Sequence, residues 1–74
     1  EYRVVVDIPD DVWEQYGHTT EYELLSIKAT EGHIEAGSDS YGDVYEWAIF
    51  DDFDKAERAE QELQAMINYF KAKL

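Results

Sequence analysis

The sequence predicts an α+β fold: a small antiparallel sheet of three or four strands with one long C-terminal helix packed across one face. Three observations lead there. The segment YRVVVDI alternates its side chains with the period of two of a half-buried strand. Later short segments repeat strand-like patterns on either side of glycine-containing links. The last 24 residues instead recur at three and four, the spacing of an amphipathic helix.

Taken in order, Tyr2, Val4, Val6 and Ile8 share one face of a first strand over residues 2–8. Pro9 stops it. Asp10 or Asp11 can cap a short helical turn, Asp11 and Glu14 stand at capping-box spacing, and Gly17 closes the turn. EYELLSIKAT (21–30) and HIEAG (33–37) flank Glu31-Gly32, a two-residue link typical of tight hairpins. Pairing Thr30 with His33 puts Ala29 opposite Ile34, Ile27 opposite Ala36 and Lys28 opposite Glu35. Apolar then meets apolar and base meets acid, so a β-hairpin is expected.

DVYEWAIF (43–50) reads as a further strand, reached through the Gly/Ser/Asp loop 37–42. Either Tyr45, Trp47 and Ile49 or Val44, Glu46, Ala48 and Phe50 face the core. In the final helix, 51–74, the expected buried stripe is Phe53, Ala56, Leu63, Met66, Ile67, Phe70 and Leu74. Asp51, Asp52 and Asp54 crowd its start and Lys71 and Lys73 its end, as the helix dipole prefers.

Seventy-four residues allow one domain, 1–74, with one core. Cysteine is absent, which removes disulfides and thiolate metal sites. No apolar run approaches the ~18 residues of a membrane span, and no signal peptide begins at Glu1. A soluble cytoplasmic domain is expected.

The charge is the abnormal feature. Eighteen acids against six bases give −12. Residues 1–50 hold −10 of this and residues 51–74 only −2, so the excess belongs to the segments before the long helix. A globule of this length is expected to be ~30 Å across. Duplex DNA of that length carries roughly 17 negative charges, a number close to the eighteen carboxylates of this chain. Direct binding to nucleic acid or to an anionic membrane is disfavoured, and a basic protein surface is the expected partner.

The stretch GSDSYGDVYEW (37–47) crowds acids and large rings together without a base. With Glu21, Glu23 and Glu35 on neighbouring segments, Asp39, Asp43 and Glu46 are expected to form an ordered negative array on the sheet. Tyr41, Tyr45 and Trp47, joined by Tyr22, have the amphipathic character enriched at interface hot spots. So small a chain also needs its rings inside. Tyr45 and Trp47 are therefore expected in the core, and Tyr41, in its loop, in solvent.

Chemistry finds little support. His18 and His33 lack a partner with ligand spacing and read as surface residues. SDSYGD lacks the alternating ligands of a calcium loop. DDFD sits where capping explains it. No glycine-rich phosphate loop or nucleophile elbow occurs. Neither a metal, a cofactor nor an enzymatic activity is expected.

In size, charge and the stretch GSDSYGDVYEW beside EYE, the chain resembles the small acidic inhibitors encoded by phages and mobile elements. That class includes DNA-mimic anti-restriction proteins, the protein inhibitor of uracil-DNA glycosylase, and anti-CRISPR proteins. The resemblance, one of composition, implies a stoichiometric inhibitor that occupies a basic nucleic-acid-binding surface, such as that of a CRISPR–Cas effector or another defence nuclease. The residues expected at the contact are Glu21, Glu23, Glu35, Asp39, Tyr41, Asp43 and Glu46. Two alternatives stand beside it. One is an adaptor domain, monomer or homodimer, self-associating through an open sheet face bearing Val5, Leu24, Val44, Ala48 and Phe50. The other is a salt-adapted acidic domain.

Overall fold

A computed structural model describes all residues, Glu1–Leu74. The first segment forms strand β1 (Tyr2–Ile8), whose alternation buries Val4, Val6 and Ile8 and leaves Arg3, Val5 and Asp7 outside. Helix α1 (Asp10–Tyr16) follows Pro9. The Asp11–Glu14 capping box does not form; Asp11 Oδ1 instead accepts from the adjacent Val12 N–H at 2.9 Å.

The expected hairpin over residues 21–37 is replaced by helix α2 (Thr20–Thr30) and a separate strand β2 (Ile34–Ser38). Thr19 starts α2, its Oγ1 accepting the Tyr22 N–H at 3.2 Å. Glu31 and Gly32 end it in the left-handed region, with φ of 54° and 82°. The Gly32 N–H donates back to the Ile27 carbonyl at 3.0 Å. The two residues thus terminate a helix, a geometry glycine tolerates without steric cost. Tyr22, Ser26, Ala29 and Thr30 are the buried residues of α2, at offsets of 4, 7 and 8 from Tyr22. That is one helical face.

The β2 strand pairs with β3 (Val44–Phe50) across loop 39–43, and β3 pairs on its other side with β1. Both pairings are antiparallel and the strand order is β1-β3-β2. The 20-residue α3 (Phe53–Ala72) runs against β1 and β3, with α2 beside it. Asp52 caps α3 by accepting from the N–H groups of Asp54 and Lys55 at 2.8 and 3.2 Å. The result is an α+β domain: a three-stranded antiparallel sheet, the C-terminal helix on one face, and two shorter helices.

Ala56, Ala59, Leu63, Met66, Ile67 and Phe70 form the buried stripe of α3. Phe53 and Leu74, expected at its ends, are exposed; the Phe53 ring packs edge-on against Tyr2 at 5.5 Å. Small side chains at Ala48, Ala56 and Ala59 let helix and sheet approach closely, and Phe70 sits beneath the rings of Tyr16, Tyr22 and Tyr69.

The ambiguous strand is resolved. Glu46, Ala48 and Phe50 are buried on the helix-covered face with half-buried Val44, whereas Tyr45, Trp47 and Ile49 look the other way. Tyr45 and Trp47 are therefore half-exposed rather than core residues, and it is Tyr22, from α2, that is buried. The core holds ring surface enough without the other two.

Candidate functional site

The sheet face away from the helices carries Arg3, Val5 and Asp7 of β1, Tyr45, Trp47 and Ile49 of β3, and Glu35 of β2. None of them is buried. Trp47 lies between Val5 and Glu35 in register, with the Arg3 guanidinium 5.9 Å from its ring centre. Gly37 gives the indole its seat: a Cβ there would come within 2.7 Å of the ring. The self-association patch expected from the sequence does not exist as such. Val44, Ala48 and Phe50 face the core and Leu24 lies on α2, leaving only Val5.

At one end of this face three segments bring carboxylates together: Asp7 at the close of β1, Asp10 at the start of α1, and Asp39 and Asp43 bounding loop 39–43. The charge of Asp39, then burial, then the charges of Asp10 and Asp7 push the Asp43 carboxyl above its usual value, and no base opposes them. Asp39 behaves differently. Its Oδ1 accepts the N–H groups of Tyr41 and Asp43 at 2.9 and 3.1 Å, and its Oδ2 accepts the Tyr45 hydroxyl at 3.1 Å. Burial works against ionisation, but these donors outweigh it and hold Asp39 below the usual carboxylate range. Asp39 is the organiser of its loop as well as a charge on it. Tyr41, at the loop tip, is 89% exposed, as expected.

The remaining acids do not join this array, because residues 21–30 are helical. Glu21 points to the C-terminal end of α3, where it pairs with Lys73 at 2.9 Å and accepts the Tyr69 hydroxyl at 3.3 Å. The hydrogen bond from Lys73 is the main reason that its carboxyl is held down. Glu23 is exposed on α2 and Glu35 lies on the outer edge strand β2. Glu46 is removed from the surface altogether at 3% exposure, since it shares the inward register of Ala48 and Phe50. The expected single array is divided among three places: Asp39 and Asp43 join Asp7 and Asp10 at an acidic end, Glu23, Glu35 and Glu46 border a cleft, and Glu21 sits at the close of α3.

That cleft, of about 370 Å³, lies between the α1–α2 corner and β2 and is lined among others by Trp13, Tyr22, Glu23, Ser26, Glu35 and Glu46. The Ser26 hydroxyl lies 3.3 Å from Glu46 Oε2 and 3.4 Å from the Met66 sulfur. It has one proton, and the carboxylate is the better acceptor. Burial pushes the Glu46 carboxyl up, against the opposing pull of the Tyr22 and Ser26 hydroxyls. Burial, and then the Glu46 charge, push the Tyr22 hydroxyl up in turn. The polar group that hydroxyl approaches is the Glu46 carboxylate, although without a hydrogen bond of normal geometry.

Asp7, Asp10 and the Tyr22–Ser26–Glu46 set escape sequence reasoning. One signal for Glu46 was present: three of the four residues in its alternation set are apolar. No group of three or more His, Cys, Asp or Glu side chains is arranged to hold a metal ion. No helix is long and apolar enough to cross a membrane. Comparison with protein-family models, with known proteins and with solved structures finds no match for this chain.

Proposed function

We propose that this domain is a stoichiometric inhibitor that binds a basic, nucleic-acid-binding protein surface through its acidic end and the adjoining open sheet face. The observation that carries the reading is the convergence of Asp7, Asp10, Asp39 and Asp43 from three segments with no base among them. Repulsion among these acids costs folding free energy, and a cationic partner would relieve it. Trp47, Val5, Ile49 and Tyr45 supply an uncovered apolar and aromatic area beside the charge. The molecule measures 33 × 26 × 17 Å, a scale comparable to about one turn of duplex DNA. A defence nuclease such as a CRISPR–Cas effector is the kind of partner this reading names.

The test is capture from host extract on the immobilised domain, eluted with duplex DNA or heparin. A nucleic-acid-binding protein should elute, and the triple substitution Asp7→Asn, Asp10→Asn, Asp43→Asn should abolish its capture. Asp39 is left intact because its loss would disturb the loop itself. Absence of any polyanion-displaceable protein, or equal capture by the triple variant, refutes the proposal.

The exposure of Val5 and Ile49 on an uncovered face, 49% and 44%, favours a second reading, self-association through that face. Sedimentation at two protein concentrations separates the two: a concentration-dependent dimer, lost on Ile49→Lys, would support it.

A further inference from the structure

We infer that two copies of this chain join edge to edge along β1, Val5 beside Val5 on a two-fold axis, so that their three-stranded sheets become one continuous antiparallel sheet of six. The strand order leaves one side of β1 open. Its ladder with β3 uses the backbone groups of the other side, and no backbone hydrogen bond outside that ladder involves residues 2–8. Seven residues long, paired in unbroken register and free of proline and glycine, β1 is the kind of edge that templates pairing with another chain. The opposite edge, β2, has five residues and holds Gly37.

An open edge alone does not name its occupant. The residue order of β1 does. Outward from Val5 in both directions come Val4 and Val6, then Arg3 and Asp7, then Tyr2 and Ile8. An antiparallel second copy centred on Val5 therefore sets Val4 against Val6, Tyr2 against Ile8, and Arg3 against Asp7 on each side of the axis. Opposite side chains in such a pair lie ~4.5–5.5 Å apart on one face. Apolar then meets apolar on the helix side, base meets acid on the open side, and Val5, half exposed in one copy, is covered by its twin. Within one copy the two charges stay apart, since four residues along a strand span about 13 Å. Arg3 has no ion pair in the domain, and its guanidinium rests 5.9 Å from the Trp47 ring centre, although the chain carries eighteen acids. Centring on Val4 instead would set Asp7 against Glu1, and centring on Val6 would set it against Val5. The charges that oppose indiscriminate pairing thus admit this one register between folded copies.

The helix side is prepared for the same contact. A groove of about 490 Å³ is lined by Val5, Val6 and Asp7 of β1 and by Glu60, Gln61, Gln64, Ala65 and Asn68 of α3. Four of those five helix residues are uncharged, on a molecule whose net charge of −12 elsewhere repels a second copy. The inference does not rest on the inhibitor reading. It also differs from face-to-face association, which leaves this edge open.

The experiment is sedimentation equilibrium of the whole domain at physiological ionic strength, from micromolar to millimolar concentration, where a dimer is expected. Arg3→Asp alone and Asp7→Arg alone each turn both ion pairs into like-charge pairs and should weaken the dimer about tenfold or more. The double variant Arg3→Asp, Asp7→Arg restores both pairs and should associate as the wild type does. An equimolar mixture of the two single variants should form the heterodimer, because one then carries two acids where the other carries two bases. In a mixture of isotope-labelled and unlabelled wild type, filtered NOEs should join Val4 of one copy to Val6 of the other. Ile49→Lys should leave this dimer intact.

A domain that is folded by circular dichroism and stays monomeric at millimolar concentration overturns the inference. So do single variants that associate like the wild type, or a double variant and a mixture that recover nothing. A dimer abolished by Ile49→Lys is the face-to-face mode and overturns it too, as does a captured partner protein whose own strand occupies β1. A dimer that captures no basic protein leaves the inference standing and removes the inhibitor reading; a monomer that captures one does the reverse.

Discussion

Replacing Glu46 with glutamine should make the domain more stable at neutral pH, against the usual direction of core substitutions. The carboxyl is 3% exposed, has one hydrogen bond of 3.3 Å from Ser26, and has no base to compensate it. Its folded-state value is raised by burial above the 4.5 of an ordinary glutamate. The folded protein therefore holds the proton more tightly than the unfolded chain does, and stability falls as pH rises from 4.5 through the raised value. Above that window the ionised carboxylate is a constant burden. An amide has nearly the same shape, keeps an oxygen for the Ser26 hydroxyl, and places an N–H where the Tyr22 oxygen can accept it. Leaving a buried polar group poorly satisfied costs about 1–3 kcal/mol. A gain of about 1–2 kcal/mol at pH 8 is thus expected, and for a domain of this size each kcal/mol moves the midpoint by roughly 4–8 °C. The assay is thermal unfolding by circular dichroism at pH 4 and pH 8. The difference between variant and wild type should be small at pH 4 and open as pH rises. A variant equally stable or less stable at pH 8, or a gap that does not change with pH, would show that the carboxylate is well solvated in place and that the burial argument is wrong. The subtraction also removes Asp43, whose raised value gives the wild type a slope of the same sign.

Two further outcomes follow from the same geometry. Asp43→Asn should raise the midpoint in dilute buffer and do so much less in 1 M sodium chloride, where the Debye length falls to about 3 Å, because the destabilising neighbours Asp39, Asp10 and Asp7 are then screened; thermal melts at the two salt concentrations check this. Phe70→Ala removes a fully buried ring shared by Tyr16, Tyr22 and Tyr69, at a cost of about 3–5 kcal/mol, so urea unfolding should find a molecule near or past its midpoint without denaturant.

How far the amino-acid pattern reaches is clearest in the contrast between α3 and α2. The long helix was legible because its apolar residues repeat on one side and its ends carry their own signals, Asp52 as cap and lysines at the close. The shorter helix hid. Its buried side includes Ser26 and Thr30, while Leu24 and Ile27 are exposed, so hydrophobicity is spread almost evenly around it. Ser26 and Thr30 are tolerated inside because each is hydrogen-bonded, the Ser26 hydroxyl to Glu46 Oε2 at 3.3 Å and the Thr30 hydroxyl to the Ser26 carbonyl at 2.7 Å. The link Glu31-Gly32 fits a hairpin turn as well as a helix end, and only the tertiary structure decides between them. Thr19 and Thr20 ahead of Glu21 and Glu23 were the available hint of a helix start. The misread helix then scattered the candidate site, since an array drawn across neighbouring strands needs Glu21 and Glu23 on a strand. Asp39 and Tyr41 lie in the loop where they were expected, because that loop depends on local Gly, Ser and Asp residues, whereas Asp43, expected to open the strand, lies just ahead of it.

The central position of β3 bears on how the chain is made. Its partner on one side, β2, is a near neighbour, but its partner on the other, β1, is 36 residues away at Ile8–Val44 and 48 at Tyr2–Phe50. Closing so long a loop delays a pairing. Of these strands β1 leaves the ribosome ahead of the others, and it must wait, with Val4, Val6 and Ile8 bare, until β3 has followed it out. Glu1, Arg3 and Asp7 interleave charge with that run, and such gatekeeping is what keeps a waiting hydrophobic segment from pairing with another nascent chain.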